Sequence, residues 1–70
     1  MKIEFRLLDK TTETFRIVYF ERWNNKEPSF TSDPQSAKQY WHDRLAEEDI
    51  NLLQKAKSET AITISIKLVP

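Results

Sequence analysis

His42 is the one histidine in a 70-residue chain that has no cysteine and no glycine. It is therefore the only side chain that titrates near neutrality unaided. It stands beside Asp43 in a stretch of helical character, with Lys38 and Ala46 four residues away on either side. Neighbours along a helix do not face each other, so no local carboxylate orients the ring and no second histidine shares a metal. General-base or lone-ligand chemistry at His42 would need a carboxylate from elsewhere in the chain; a partly exposed helical histidine is the plainer account.

Asp43 and Glu47 are spaced to share a helical face, and Glu48 and Asp49 follow. Paired carboxylates do acid–base work when burial or mutual repulsion separates their pKa values. Arg44 is placed to pair with Glu48, so the run reads as a solvated acidic face. Ser29, Ser32, Ser36, Ser58 and Ser65 have no base assigned to any of them. The absence of cysteine excludes thiol nucleophiles, thiolate zinc sites and disulfides. The absence of glycine excludes phosphate-cradling and calcium loops, which need a residue without a side chain where the backbone crowds a ligand. No cofactor, no metal and no catalysis are expected.

The elements that would carry these residues form a single small domain, 1–70. A core of this size supplies only about 3–5 kcal/mol of net stability, so packing or self-association must make up for the missing staples. Eleven basic and eleven acidic side chains balance, which gives no long-range attraction to nucleic acid or anionic lipid. Met1-Lys2-Ile3-Glu4-Phe5 alternates instead of forming a signal-type apolar run, and nothing approaches the ~18 apolar residues of a membrane span. The expected address is cytoplasmic, with no membrane partner.

Residues 2–8 alternate, with Ile3, Phe5 and Leu7 against Lys2, Glu4 and Arg6, the period of a half-buried strand. Thr14–Trp23 is aromatic and β-branched, giving a second strand. Between them no Asn-Gly or Asp-Gly pair is present, which implies a loop of three to five residues led by Asp9. The cluster from Asn24 to Asp33 is taken as a loop, and Asp33 or Ser32 as the cap of a helix with Pro34 in its first turn. Continued to residue 57, that helix gathers Ala37, Tyr40, Trp41 and Leu45 on one face with Leu52 and Ala56 at its edge. Ala46, Ile50 and Leu53 point elsewhere. The helix is expected to bend or break near 46–49, or to use Ala46, Ile50 and Leu53 to hold a second copy of the chain. Thr60–Val69 alternates as a third strand.

The expected fold is thus α+β in the order ββαβ: a three-stranded antiparallel or mixed sheet, covered on one face by a long bent helix or a helix pair. Phe5, Phe15 and Tyr19 are assigned to the covered face. The bare face then shows Arg6, Arg16, Val18, Phe20, Arg22 and Lys67, with Trp23 at the strand end as a further contact. If Phe5 opposes Ile17, Arg6 falls opposite Arg16, a destabilising pair unless an anion answers it; a two-residue shift brings Val18 there instead. Arginine and aromatic residues are enriched at protein hot spots. The favoured function is a non-catalytic binding protein, a regulator or inhibitor, acting through a protein partner, with at least a weak homodimer. The alternative is a nucleic-acid module using the same basic and aromatic face.

Overall fold

The computed structural model describes residues 1–55 and 61–70. The expected helix end at 57 with Ala56, Ser58 and the first residue of the last strand, Thr60, lie outside the described residues. Strands β1 (Lys2–Asp9), β2 (Thr14–Asn24) and β3 (Glu27–Thr31) precede one helix, α1 (Asp43–Lys55), and strand β4 (Ala61–Val69). The sheet has four antiparallel strands in the order β3-β2-β1-β4, and α1 lies against β1 and β4. This corrects the expected three-stranded sheet under a long bent helix or a helix pair: a strand is added and the helix is short.

The added strand comes from the segment taken as a loop. Asn25 and Lys26 both have positive φ, 50° and 69°, which gives the primed two-residue turn whose twist matches the flanking strands. Pro28 is tolerated because β3 is an edge strand, where a missing amide leaves no ladder bond unmade. Lys26 occupies a position that normally takes glycine, at a cost on the order of 1 kcal/mol. Lys26→Gly is expected to stabilise the fold by about 0.5–1 kcal/mol and to raise the midpoint of a thermal melt by several degrees. An unchanged or lower midpoint would show that the turn carries no such strain.

At the other hairpin, four residues connect β1 to β2. Asp9 leads the turn, its Oδ1 accepting from the amides of Thr11 at 2.9 Å and Thr12 at 3.4 Å, and Glu13 takes the left-handed conformation at φ 54°. The resulting register sets Phe5 opposite Val18, Arg6 opposite Ile17 and Leu7 opposite Arg16. It differs by one residue from either register considered above, and a one-residue slip turns every side chain of a strand to the other face. Val18 and Phe20 consequently face the helix.

Two bulges complete the assignment of faces. Glu21 interrupts the β2–β3 ladder between Phe20 and Arg22, so Trp23 joins Phe20 on the helix side, ring centroids 5.1 Å apart. Ile64 interrupts the β1–β4 ladder between Ser65 and Thr63. Ile66 and Leu68 thus pack against the core while Ile62 and Ile64 remain about half exposed, because an extra residue inverts the alternation beyond it.

The expected helix entry forms only as a turn. Asp33 Oδ1 accepts from the amide of Gln35 at 2.9 Å and its Oδ2 from Ser36 Oγ at 3.2 Å. Beyond it, the amides of Lys38 and Tyr40 donate to the carbonyls of Phe20 at 3.0 Å and Met1 at 2.7 Å. Donors used across the sheet are not free for helical bonds, so the chain crosses the strand ends without helical structure and α1 starts at Asp43. The core comprises Ile3, Phe5, Val18, Phe20, Tyr40, Ala46 and Leu53, with Leu7, Trp23, Ile50, Ile66 and Leu68 at its margin. No described helix is long and apolar enough to cross a membrane.

Candidate functional site

Placing the expected contact residues in this frame divides them. Val18 and Phe20 are buried core residues, which removes them from any contact surface of the folded chain. Trp23 is half-buried with its indole bonded inside the molecule. Arg6 and Lys67 are exposed at positions flanking Glu4 on the bare face; Arg6 Nε is 3.5 Å from Glu4 Oε1. Arg16 is exposed but pairs with Leu7 and shares the parity of Val18, so its strand position is on the helix side and not beside Arg6 on the bare face. Arg22 is exposed, its guanidinium 4.0 Å from Glu21. Ala46 and Leu53, assigned to self-association, are buried and Ile50 is half-buried against the core. It is Trp41, Leu45 and Leu52 that face outward. The helical wheel inverted because it was carried back through residues 37–42, which are not helical.

The bare face exists, with different occupants. Phe15 is 75% exposed, Ile17 47%, Ile62 48% and Ile64 50%. Leu8 pairs with Phe15 on one side and Ile62 on the other. Arg6, Phe15, Arg16, Ile17 and Ile64 line a shallow depression of about 530 Å³. The four exposed side chains present on the order of 400 Å² of apolar surface, a size at which a patch on a monomer is commonly a contact site. The signal was present in the sequence: Phe15, Ile17 and Tyr19 share one parity and Val18 and Phe20 the other, so one apolar set had to be left uncovered.

A second grouping escaped the sequence reading altogether. Asp49 of α1 accepts three hydrogen bonds: from Trp23 Nε1 at 3.0 Å, Lys38 Nζ at 2.9 Å and Tyr40 Oη at 2.5 Å. The Lys38 ammonium also stands 5.1 Å from the Tyr40 ring centroid and 6.0 Å from that of Phe20. Burial alone would raise the Asp49 carboxyl, but the Tyr40, Trp23 and Lys38 bonds, with the charge on Lys38, hold it below the usual carboxylate range. Burial, followed by the bond to Asp49 and its negative charge, pushes the Tyr40 phenol far above its ordinary value.

These shifts carry each group away from neutrality, so Asp49 stays ionised and Tyr40 stays protonated. Proton transfer is most efficient when a pKa lies near the working pH; the arrangement is equipped to hold its donors, and acts as a clasp between β2, the crossing segment and α1. Asp49 follows Ala46 by three residues and precedes Leu53 by four, which sets it at the edge of the buried arc of the helix, and an acid at that edge is the available clue. His42 is exposed and borders a shallow depression with Asp43, Arg44 and Leu45. Among the described residues no group of three or more histidine or acidic side chains is placed to hold a metal ion.

The fold defines the chain as a small α+β domain whose antiparallel sheet is covered on one side. No protein-family model, no characterised protein and no solved structure matches it.

Proposed function

We propose that the chain is a small non-catalytic binding protein of the cytoplasm that acts by contact with a protein partner through its bare sheet face. The observation that carries this reading is the exposed cluster of Phe15, Ile17, Ile62 and Ile64, with Arg6 and Arg16 bordering the depression it forms. Apolar side chains framed by arginine suit a protein interface, in which a water-excluding centre is ringed by polar groups. A role as regulator or inhibitor follows from occupying a partner rather than transforming it.

Ile17→Thr combined with Phe15→Ser tests the surface, threonine keeping the strand propensity without setting a second cation opposite Arg6. Both positions are solvent-facing, so each change is expected to alter stability by no more than about 0.5 kcal/mol. Affinity capture from the native cell should recover a partner with the parent chain and lose it with the double variant. Sedimentation of the two chains over a concentration series identifies the case in which the partner is a second copy. Unchanged capture and unchanged self-association in a folded double variant would overturn the assignment.

The exposed Phe15 ring beside two arginines also favours, as a second reading, stacking on single-stranded nucleic acid. Salt separates the two: phosphate neutralisation predicts a steep loss of affinity for a mixed-sequence oligonucleotide as salt rises.

A further inference from the structure

On the covered side of the sheet, the β2–β3 turn and the C-terminal half of α1 border an open cleft of about 570 Å³ lined by Trp23, Lys26, Pro28, Leu52 and Lys55. None of these five residues belongs to the bare face. The volume is within the roughly 300–1,000 Å³ typical of ligand sites. The lining divides by chemistry: an indole ring, a proline and a leucine that is 53% exposed supply apolar surface, and two lysines supply charge. No acidic side chain is among the described lining residues.

Three further facts bear on what fits. The indole N–H of Trp23 is already committed to Asp49, which leaves the carbon surface of the ring as what the cleft can use. The carboxylate of Asp49 is matched by Lys38 and held by three donors, so it does little to offset the two lysines. Lys26, finally, keeps a side chain at φ 69°, where glycine would relieve the backbone. Strain retained at a position bordering a cleft is a feature of functional sites.

We infer that this cleft binds an acidic peptide segment of a protein partner, with an apolar side chain of the peptide against Trp23, Pro28 and Leu52 and flanking carboxylates on Lys26 and Lys55. Charge complementarity selects the acidic ligand, and the lining selects its apolar anchor. A nucleic acid fits less well, since one indole and two ammonium groups provide neither successive stacking platforms nor a basic track. The site is independent of the bare face, so its failure leaves that proposal standing.

The test uses the full chain with Trp41→Phe, which leaves Trp23 as its one tryptophan. The probe is the acetylated and amidated pentapeptide Glu-Glu-Leu-Glu-Glu; the controls replace its glutamates by lysine or its leucine by alanine. Expected are a saturable change in Trp23 fluorescence and a shift of its indole N–H resonance with the probe, and much weaker responses to both controls. Lys26→Glu with Lys55→Glu should weaken binding by at least about tenfold. Lys26→Gly should fold at least as stably as the parent yet bind about threefold more weakly, the size of one exposed ion pair. That combination separates a ligand-binding lysine from a merely structural one. No response at millimolar probe, an equal response to the lysine peptide, or an affinity untouched by the two charge reversals would overturn the inference. A stronger response to polyuridylate than to the probe would do the same.

Discussion

Phe20→Ala is expected to leave the chain largely unfolded at 25 °C. The Phe20 side chain is fully buried; its ring lies 5.1 Å from Trp23 and 6.4 Å from Phe30, and the Lys38 ammonium stands over it. Removing a phenyl ring from such a site costs about 3–5 kcal/mol through lost transfer energy and the cavity left behind. A core of this size provides about the same amount in total. Phe20→Leu, which keeps most of the volume, should cost about 1–1.5 kcal/mol and remain folded. Ile17→Ala, three residues earlier and on the bare face, should change stability by less than either. Circular dichroism melts of the three variants check the order. A cooperative melt of Phe20→Ala within a few degrees of the parent would return Phe20 to the surface.

That contrast between Phe20 and Ile17 shows where the sequence stops being informative. Four consecutive residues, Ile17-Val18-Tyr19-Phe20, satisfy both parities of a strand, so alternation identifies β2 but does not choose its buried face. The choice is made by the β1–β2 register, which pairs Val18 with Phe5; the bulge at Glu21 then lets Trp23 join Val18 and Phe20 under cover, and composition carries no mark of either. The same holds at Ile64, where one extra residue divides an unbroken isoleucine alternation between two faces. The positions of β1, β2 and β4 are legible because side-chain period is local; facing is not, because it depends on pairing partners far along the chain.

The helix illustrates the opposite error. Asp33, Pro34 and Gln35 are strong local entry signals and do organise a turn. Amides two and four residues beyond Ser36 are nevertheless claimed by the carbonyls of Phe20 and Met1, and long-range bonds of this kind override propensity. Once α1 is started at Asp43, Ala46, Ile50 and Leu53 form one stripe, which is the inward one, and Asp49 stands at its edge. β3 was hidden by Pro28 and by an Asn-Lys turn that does the work of Asn-Gly in a chain without glycine.

The clasp at Asp49 gives the second large effect. Asp49→Ala leaves the Trp23 N–H and the Tyr40 hydroxyl without their partner in a largely desolvated place; the Asp49 side chain is 13% exposed. Stranding two such donors costs about 2–3 kcal/mol, and Lys38 adds little because its side chain is 42% exposed and water screens it. The variant should therefore be marginal at pH 7, and urea unfolding should show a midpoint far below that of the parent. The pH dependence follows from the same bonds. The folded Asp49 carboxyl lies below its ordinary value of about 3.9, so its contribution is full above that value and is lost as pH falls through the folded pKa. The folded Tyr40 phenol lies above its ordinary value of about 10, so its contribution is full below that value and is lost as pH rises beyond it. Between these limits the two groups leave stability flat. Asp49→Asn should flatten the acid limb and weaken the alkaline one, because two of the three causes that raise Tyr40 come from the Asp49 carboxylate. If the parent and Asp49→Asn gave parallel curves of urea midpoint against pH from 2 to 11, the clasp would be a surface contact of no thermodynamic weight, and the docking of α1 would rest on Ala46, Ile50 and Leu53 alone.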